Sequence, residues 1–86
     1  MKKIKVMKSI EGGEYKEVII DKVVFDTLCE YDEVANTFTF LMTRNLLNDT
    51  VEKGLRQIYK DCENIFKQYG LDKYDIRAHY KDPKTI

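Results

Sequence analysis

The sequence predicts an α+β fold, mainly an antiparallel β-sheet in the order ββββαβ with one long amphipathic helix packed on one face. Three observations carry that expectation. Short alternating apolar stretches fill the first half of the chain, a helical apolar period runs from Val51 to Tyr69, and the strands precede the helix instead of alternating with others.

From Lys3 to Ile10, Ile4, Val6 and Ile10 fall on one side and Lys3, Lys5, Met7 and Ser9 on the other, with Lys8 as the exception, so the period of two reads as a strand. Glu11-Gly12-Gly13-Glu14 then supplies glycine at both central positions of a type I′ hairpin turn, where φ must be positive. The second strand is Tyr15 to Ile20.

Residues 21–31 admit two readings. Ile20, Val23, Val24, Thr27, Leu28 and Tyr31 have helical spacing, and Asp21 can cap such a helix. Val23, Phe25, Thr27, Cys29 and Tyr31 also alternate, and most of these residue types favour strands. Asp32 and Asn36 then bracket a short loop before Thr37-Phe38-Thr39-Phe40, which selects strands over 22–31 and 37–44.

Asn48 or Asp49 opens the helix, Asp49 with Glu52 has capping-box spacing, and Gly70 sits where a left-handed closing residue belongs. Val51, Leu55, Ile58, Cys62, Ile65 and Tyr69 form its apolar stripe, widened by Tyr59 and Phe66; Gly54 suggests close approach of a neighbour. Tyr74 to Tyr80 alternates as a last strand, with Ile76, Ala78 and Tyr80 inward, and Asp82-Pro83 ends it. The expected domain is 1–82, with 83–86 a frayed tail. Met7, Phe38 or Phe40, Leu41 or Met42, and part of 22–25 cannot all face one helix, so the second sheet face is an expected homodimer interface.

At 86 residues the chain suits one core. Four Gly, one Pro and 43% hydrophobic residues exclude collagen and low-complexity classes. No apolar run approaches the roughly 18 residues of a membrane span, and Met1-Lys2-Lys3-Ile4-Lys5 leads into no signal-peptide core, so no membrane partner and a cytoplasmic location are expected. Cys29, Cys62 and His79 cannot make a four-ligand zinc site, and both cysteines sit on assigned apolar faces, which reads as core thiols without a disulfide. No metal or other cofactor is implied.

Fifteen Lys plus Arg balance fifteen Asp plus Glu, yet the charges segregate. Residues 1–10 carry four lysines and no acid, whereas Glu11, Glu14, Glu17, Asp21, Asp26, Glu30, Asp32 and Glu33 face only Lys16 and Lys22. These acids can be ordinary solvated surface, or an acidic patch that occupies a partner protein's basic groove. The alternative is a small nucleic-acid-binding protein using Lys53, Arg56, Lys60 and Lys67 on the helix with the lysines of the first strand, although Glu52, Asp61 and Glu63 interrupt that row. Arg77, His79 and Tyr80 would suit a metal-independent ribonuclease, but a single His without a second acid or base at recognisable spacing favours a non-enzymatic reading. The expected function is therefore a protein-binding, regulatory module. Lys, Ile, Asn and Tyr usage suggests an AT-rich bacterial or phage genome, which gives that reading a specific form, a phage or mobile-element inhibitor of a host nucleic-acid enzyme.

Overall fold

The computed structural model describes residues 2–86. Strand β1 (Lys3–Ser9) turns through Glu11–Gly13 into β2 (Tyr15–Asp21), followed by helices α1 (Lys22–Thr43), α2 (Asp49–Gln68) and α3 (Lys73–Arg77) and strand β3 (Tyr80–Thr85). The α+β class and the antiparallel sheet are as expected. The count of elements is not: three strands stand in the order β2-β1-β3, with two long helices.

The β1–β2 hairpin has three loop residues where the sequence suggested two. Ser9 pairs with Tyr15, the Ile10 amide donates to the Glu14 carbonyl at 2.8 Å, and Gly12 and Gly13 both take positive φ, 84° and 77°. The odd loop fixes the register. It sets Ile4 opposite Ile20 and Val6 opposite Val18, one apolar face, whereas a two-residue loop would slide Ile4 opposite Asp21. Ile4 and Val6 are buried, while the outer face carries the ion pairs Lys3–Asp21 and Lys5–Glu17.

The two strands expected over 22–31 and 37–44 are instead one helix, α1. Neither Gly nor Pro occurs between Gly13 and Gly54, so nothing interrupts the stripe Val24, Thr27, Leu28, Tyr31, Val34, Phe38 and Leu41. Val24, Thr27, Leu28 and Val34 are buried along it, and β-branched strand preference gives way to that burial. The Thr27 and Thr43 hydroxyls donate to the carbonyls four residues back, Val23 and Thr39, both at 2.7 Å. Asp32 and Asn36, which suggested a loop, lie on the exposed side. Asp21 stands at the cap position but makes no side-chain capping bond. Phe38, Phe40, Leu41 and Met42 thus belong to a helix and not to an outer sheet face.

Helix α1 ends in a left-handed closure at Asn45, with φ 56°; the Leu46 amide donates to Leu41 and the Asn45 amide to Met42. Helix α2 returns beside α1, with Tyr31 edge-on to Tyr59 and Phe66 at ring separations of 5.1 and 5.5 Å. Its cap is Asn48, which accepts from the Val51 amide at 2.9 Å, so the Asp49–Glu52 box is not formed. Gly70, φ 69°, closes it as expected, with bonds from Leu71 to Phe66 and from Gly70 to Lys67.

Cys62 and Phe66 of α2 form the main core with Val24 and Leu28, flanked by Ile20, Tyr31, Ile58, Tyr69, Leu71, Ile76 and Tyr80. Val51, expected inward, is exposed. Gly54 approaches nothing: a methyl built there meets no atom within 4 Å. Gly54→Ala is therefore expected to add about 1 kcal/mol by favouring the helix over the unfolded chain, raising the melting temperature by about 4 to 8 °C. A denaturant titration that shows a loss would place a close neighbour on that face.

The strand expected over 74–80 is mostly helix α3, opened by a reciprocal box in which Asp72 and Asp75 each accept the other's amide. Strand β3 begins only at Tyr80 and continues past Asp82-Pro83, the expected end; Lys84 and Thr85, placed in a frayed tail, pair with Lys5 and Ile4. A register shift lets Asp82, φ 53°, and Pro83 bulge on this edge strand, where a missing backbone donor is tolerated.

Candidate functional site

Lys8, the exception in the β1 alternation, points to the same side as Ile4 and Val6 and meets α3. Its ammonium lies 2.5 Å from Asp75 Oδ1, and the Tyr80 hydroxyl donates to the Asp75 carbonyl at 2.8 Å. The hydrogen bond to Asp75 raises the Lys8 pKa against the opposing effect of burial, and the same bond lowers that of Asp75. This junction pins α3 to the sheet. Beside it, the Tyr15 hydroxyl and His79 Nδ1 are 2.8 Å apart, the His79 amide donates to Ser9 Oγ, and the Lys81 ammonium lies 4.0 Å from the centre of the Tyr15 ring.

With α3 fixed there, an open cleft of about 690 Å³ remains between α1, the C-terminal half of α2, and the α3–β3 segment. Phe25, Leu28, Phe66, Leu71 and Ile76 supply apolar lining, and Asp32, Glu63, Lys67, Lys73, Arg77 and His79 supply charge and polarity. A second depression of about 350 Å³ shares Tyr31 and Glu63 with it and adds Arg56, Tyr59 and Lys60. The cleft offers apolar contact with both signs of charge.

The eight acids do not gather into one surface. Glu17 is held by Lys5, Asp21 by Lys3 and Asp26 by Lys22, while Glu11 and Glu14 lie at the hairpin turn. Glu30, Asp32 and Glu33 on α1 are all exposed and in no ion pair among the described residues, on a helix with no base between Lys22 and Arg44; Glu30 and Glu33 stand one turn apart on one face, whereas Asp32 lines the cleft. Of the expected basic set, Arg56, Lys60 and Lys67 border the two depressions, while Lys53 lines neither. Arg56 also pairs with Glu52 at 3.4 Å and lies 5.7 Å from the Phe38 ring centre. Lys73, which no sequence pattern flagged, joins Lys67 and Arg77 in the cleft; the left-handed break at Gly70 removes any periodicity linking them.

Both cysteines are free, but only Cys62 is in the core; Cys29, expected on an apolar face, is an exposed cleft residue. Partial burial pushes the Cys29 thiol up, and Asp26, Glu33 and Asp32 push it further, which keeps it protonated and weakly nucleophilic at neutral pH. Among the described residues no three His, Cys, Asp or Glu converge in a way that could hold a metal ion, and no helix is long and apolar enough to cross a membrane. No family model, curated protein or solved structure matches the chain.

Proposed function

We propose that this chain is a non-enzymatic protein-binding module that acts by occupying a partner's surface through the acidic half of α1. The observation that carries this reading is the pair Glu30 and Glu33, one turn apart, exposed and without ion partners among the described residues, on a helix that has no base of its own between Lys22, which Asp26 holds, and its end at Thr43. Asp32 also lines the cleft, whose apolar floor would receive side chains of a basic partner segment docked along α1. Its narrower form, a phage or mobile-element inhibitor working in the cytoplasm, draws only on amino-acid usage.

A triple variant, Glu30→Gln with Asp32→Asn and Glu33→Gln, should keep its circular dichroism and melting temperature, because isolated surface charges contribute little stability. Immobilised beside the wild type in an extract of the source cells, it should retain about tenfold less of the partner, and wild-type capture should weaken as salt rises. Equal, salt-insensitive capture by both would defeat the reading.

The cleft supports a second reading, in which nucleic acid binds Lys60, Lys67, Lys73 and Arg77 together with Arg56, which Glu52 already holds; Asp32 and Glu63 are the acids that line the two depressions. That reading expects single- or double-stranded nucleic acid to bind at low salt with a steep salt dependence. Replacing Lys60, Lys67 and Lys73 by Gln would then flatten the logarithmic slope by about 2 to 3, and the acidic triple variant would bind more tightly.

A further inference from the structure

We propose that two copies of this chain associate through the connected ends of their α1–α2 hairpins, where α1 passes into α2. No residue from 35 to 61 is buried, although both helices carry their apolar stripes through this stretch. The sheet and α3 cover the other end of the hairpin, so here two helices lie together with no third layer to complete a core. Around this end Phe40, Met42, Leu46 and Val51 are 50%, 57%, 58% and 37% exposed.

The shape of the molecule indicates how much surface is left uncovered. Its radius of gyration is 14.5 Å, against about 12 Å for a compact chain of this length. Its accessible surface is 6453 Å², whereas about 5,300 Å² is typical of a monomer of 10.2 kDa. The excess exceeds the roughly 800 Å² that each partner contributes to a stable interface.

Charge favours a second copy as the occupant. This end carries Asp49 in the first turn of α2, with Arg44 before it and Lys53 after it in the chain, while Glu52 is held by Arg56; a two-fold arrangement can set Asp49 of one copy against the bases of the other. Zero net charge over the whole chain removes long-range repulsion between copies. Two hairpins joined this way make a four-helix bundle with the sheets at its outer ends. The acids of the proposed α1 surface lie nearer the sheet, so association and partner capture can succeed or fail separately.

Sedimentation velocity from about 1 to 100 μM should show the wild type passing from monomer to dimer, with a melting temperature that rises with concentration. Leu46→Glu and Met42→Glu, both at exposed positions, should fold and raise the dissociation constant at least about tenfold. Ile19→Glu, on the exposed outer sheet face, should leave the dimer intact. A wild type that stays monomeric throughout would overturn the proposal, as would a dimer dissolved by Ile19→Glu and untouched by the two helical variants.

Discussion

Phe66→Ala is expected to destabilise the fold by about 3 to 5 kcal/mol, the largest loss from any single truncation of α2. Phe66 is only 1% exposed; it packs edge-on against Tyr31 and belongs to the cluster that joins Val24 and Leu28 of α1 to Cys62. Nothing nearby can collapse into the space, because its neighbours come from separate elements already fixed by their own hydrogen bonds. Small domains hold only about 5 to 15 kcal/mol in total, so the variant should be substantially unfolded at moderate temperature. Leu55→Ala and Ile58→Ala should cost less, since both sites are half-buried and already partly hydrated. Equilibrium denaturation of the three proteins checks the ranking, and equal losses would show that α2 does not bury the face described.

Asp75→Ala is expected to cost about 2 kcal/mol by removing two contacts at once, the Lys8 ion pair and the acceptor for the Asp72 amide. It should also flatten the pH dependence of stability. Asp75 titrates below the ordinary carboxylate range in the folded protein, so its contribution is full above about pH 4 and disappears as the pH falls through its folded value. The Lys8 pKa is raised, so its contribution is full below about pH 10 and disappears as the pH rises through its folded value. Between those limits the wild type keeps the whole effect. Urea titrations at neutral, strongly acidic and strongly alkaline pH should show the gap between wild type and variant narrowing at both extremes. A gap that narrows in acid but not in alkali would mean that Asp75 acts through its cap alone, because the Asp72 amide bond also favours the ionised carboxylate.

The β1–β2 hairpin was legible because its signals are local: alternation around Ile4 and Val6, and two glycines where the backbone needs positive φ. Helix α2 was legible for the same reason, down to its closure at Gly70. Helix α1 was not, because 22–31 satisfies both periods, and the choice depends on burial against Cys62 and Phe66, far along the chain. The capping box of Asp72 and Asp75 was present in the sequence, but the alternation of Ile76, Ala78 and Tyr80 masked it. The cleft was beyond reading for a geometric reason. Cys29, Lys67 and Arg77 meet only after three helices have packed, and no spacing rule connects them. Lys8 did leave a mark, a charge on the apolar side of β1 that called for a partner.

The sheet order carries a consequence for the order of assembly. Strand β1 is central, yet one of its neighbours follows within a few residues and the other comes from the opposite end of the chain. As the polypeptide leaves the ribosome, β1 and β2 can close at once and α1 can meet α2 soon after, while the second edge of β1 stays open until Tyr80–Thr85 has emerged. Throughout that interval a strand bearing Ile4, Val6 and Met7 presents unpaired backbone groups to any other nascent chain. The lysines at positions 3, 5 and 8 then act as like charges that hold two such edges apart, a duty that ends when β3 docks and Lys8 finds Asp75.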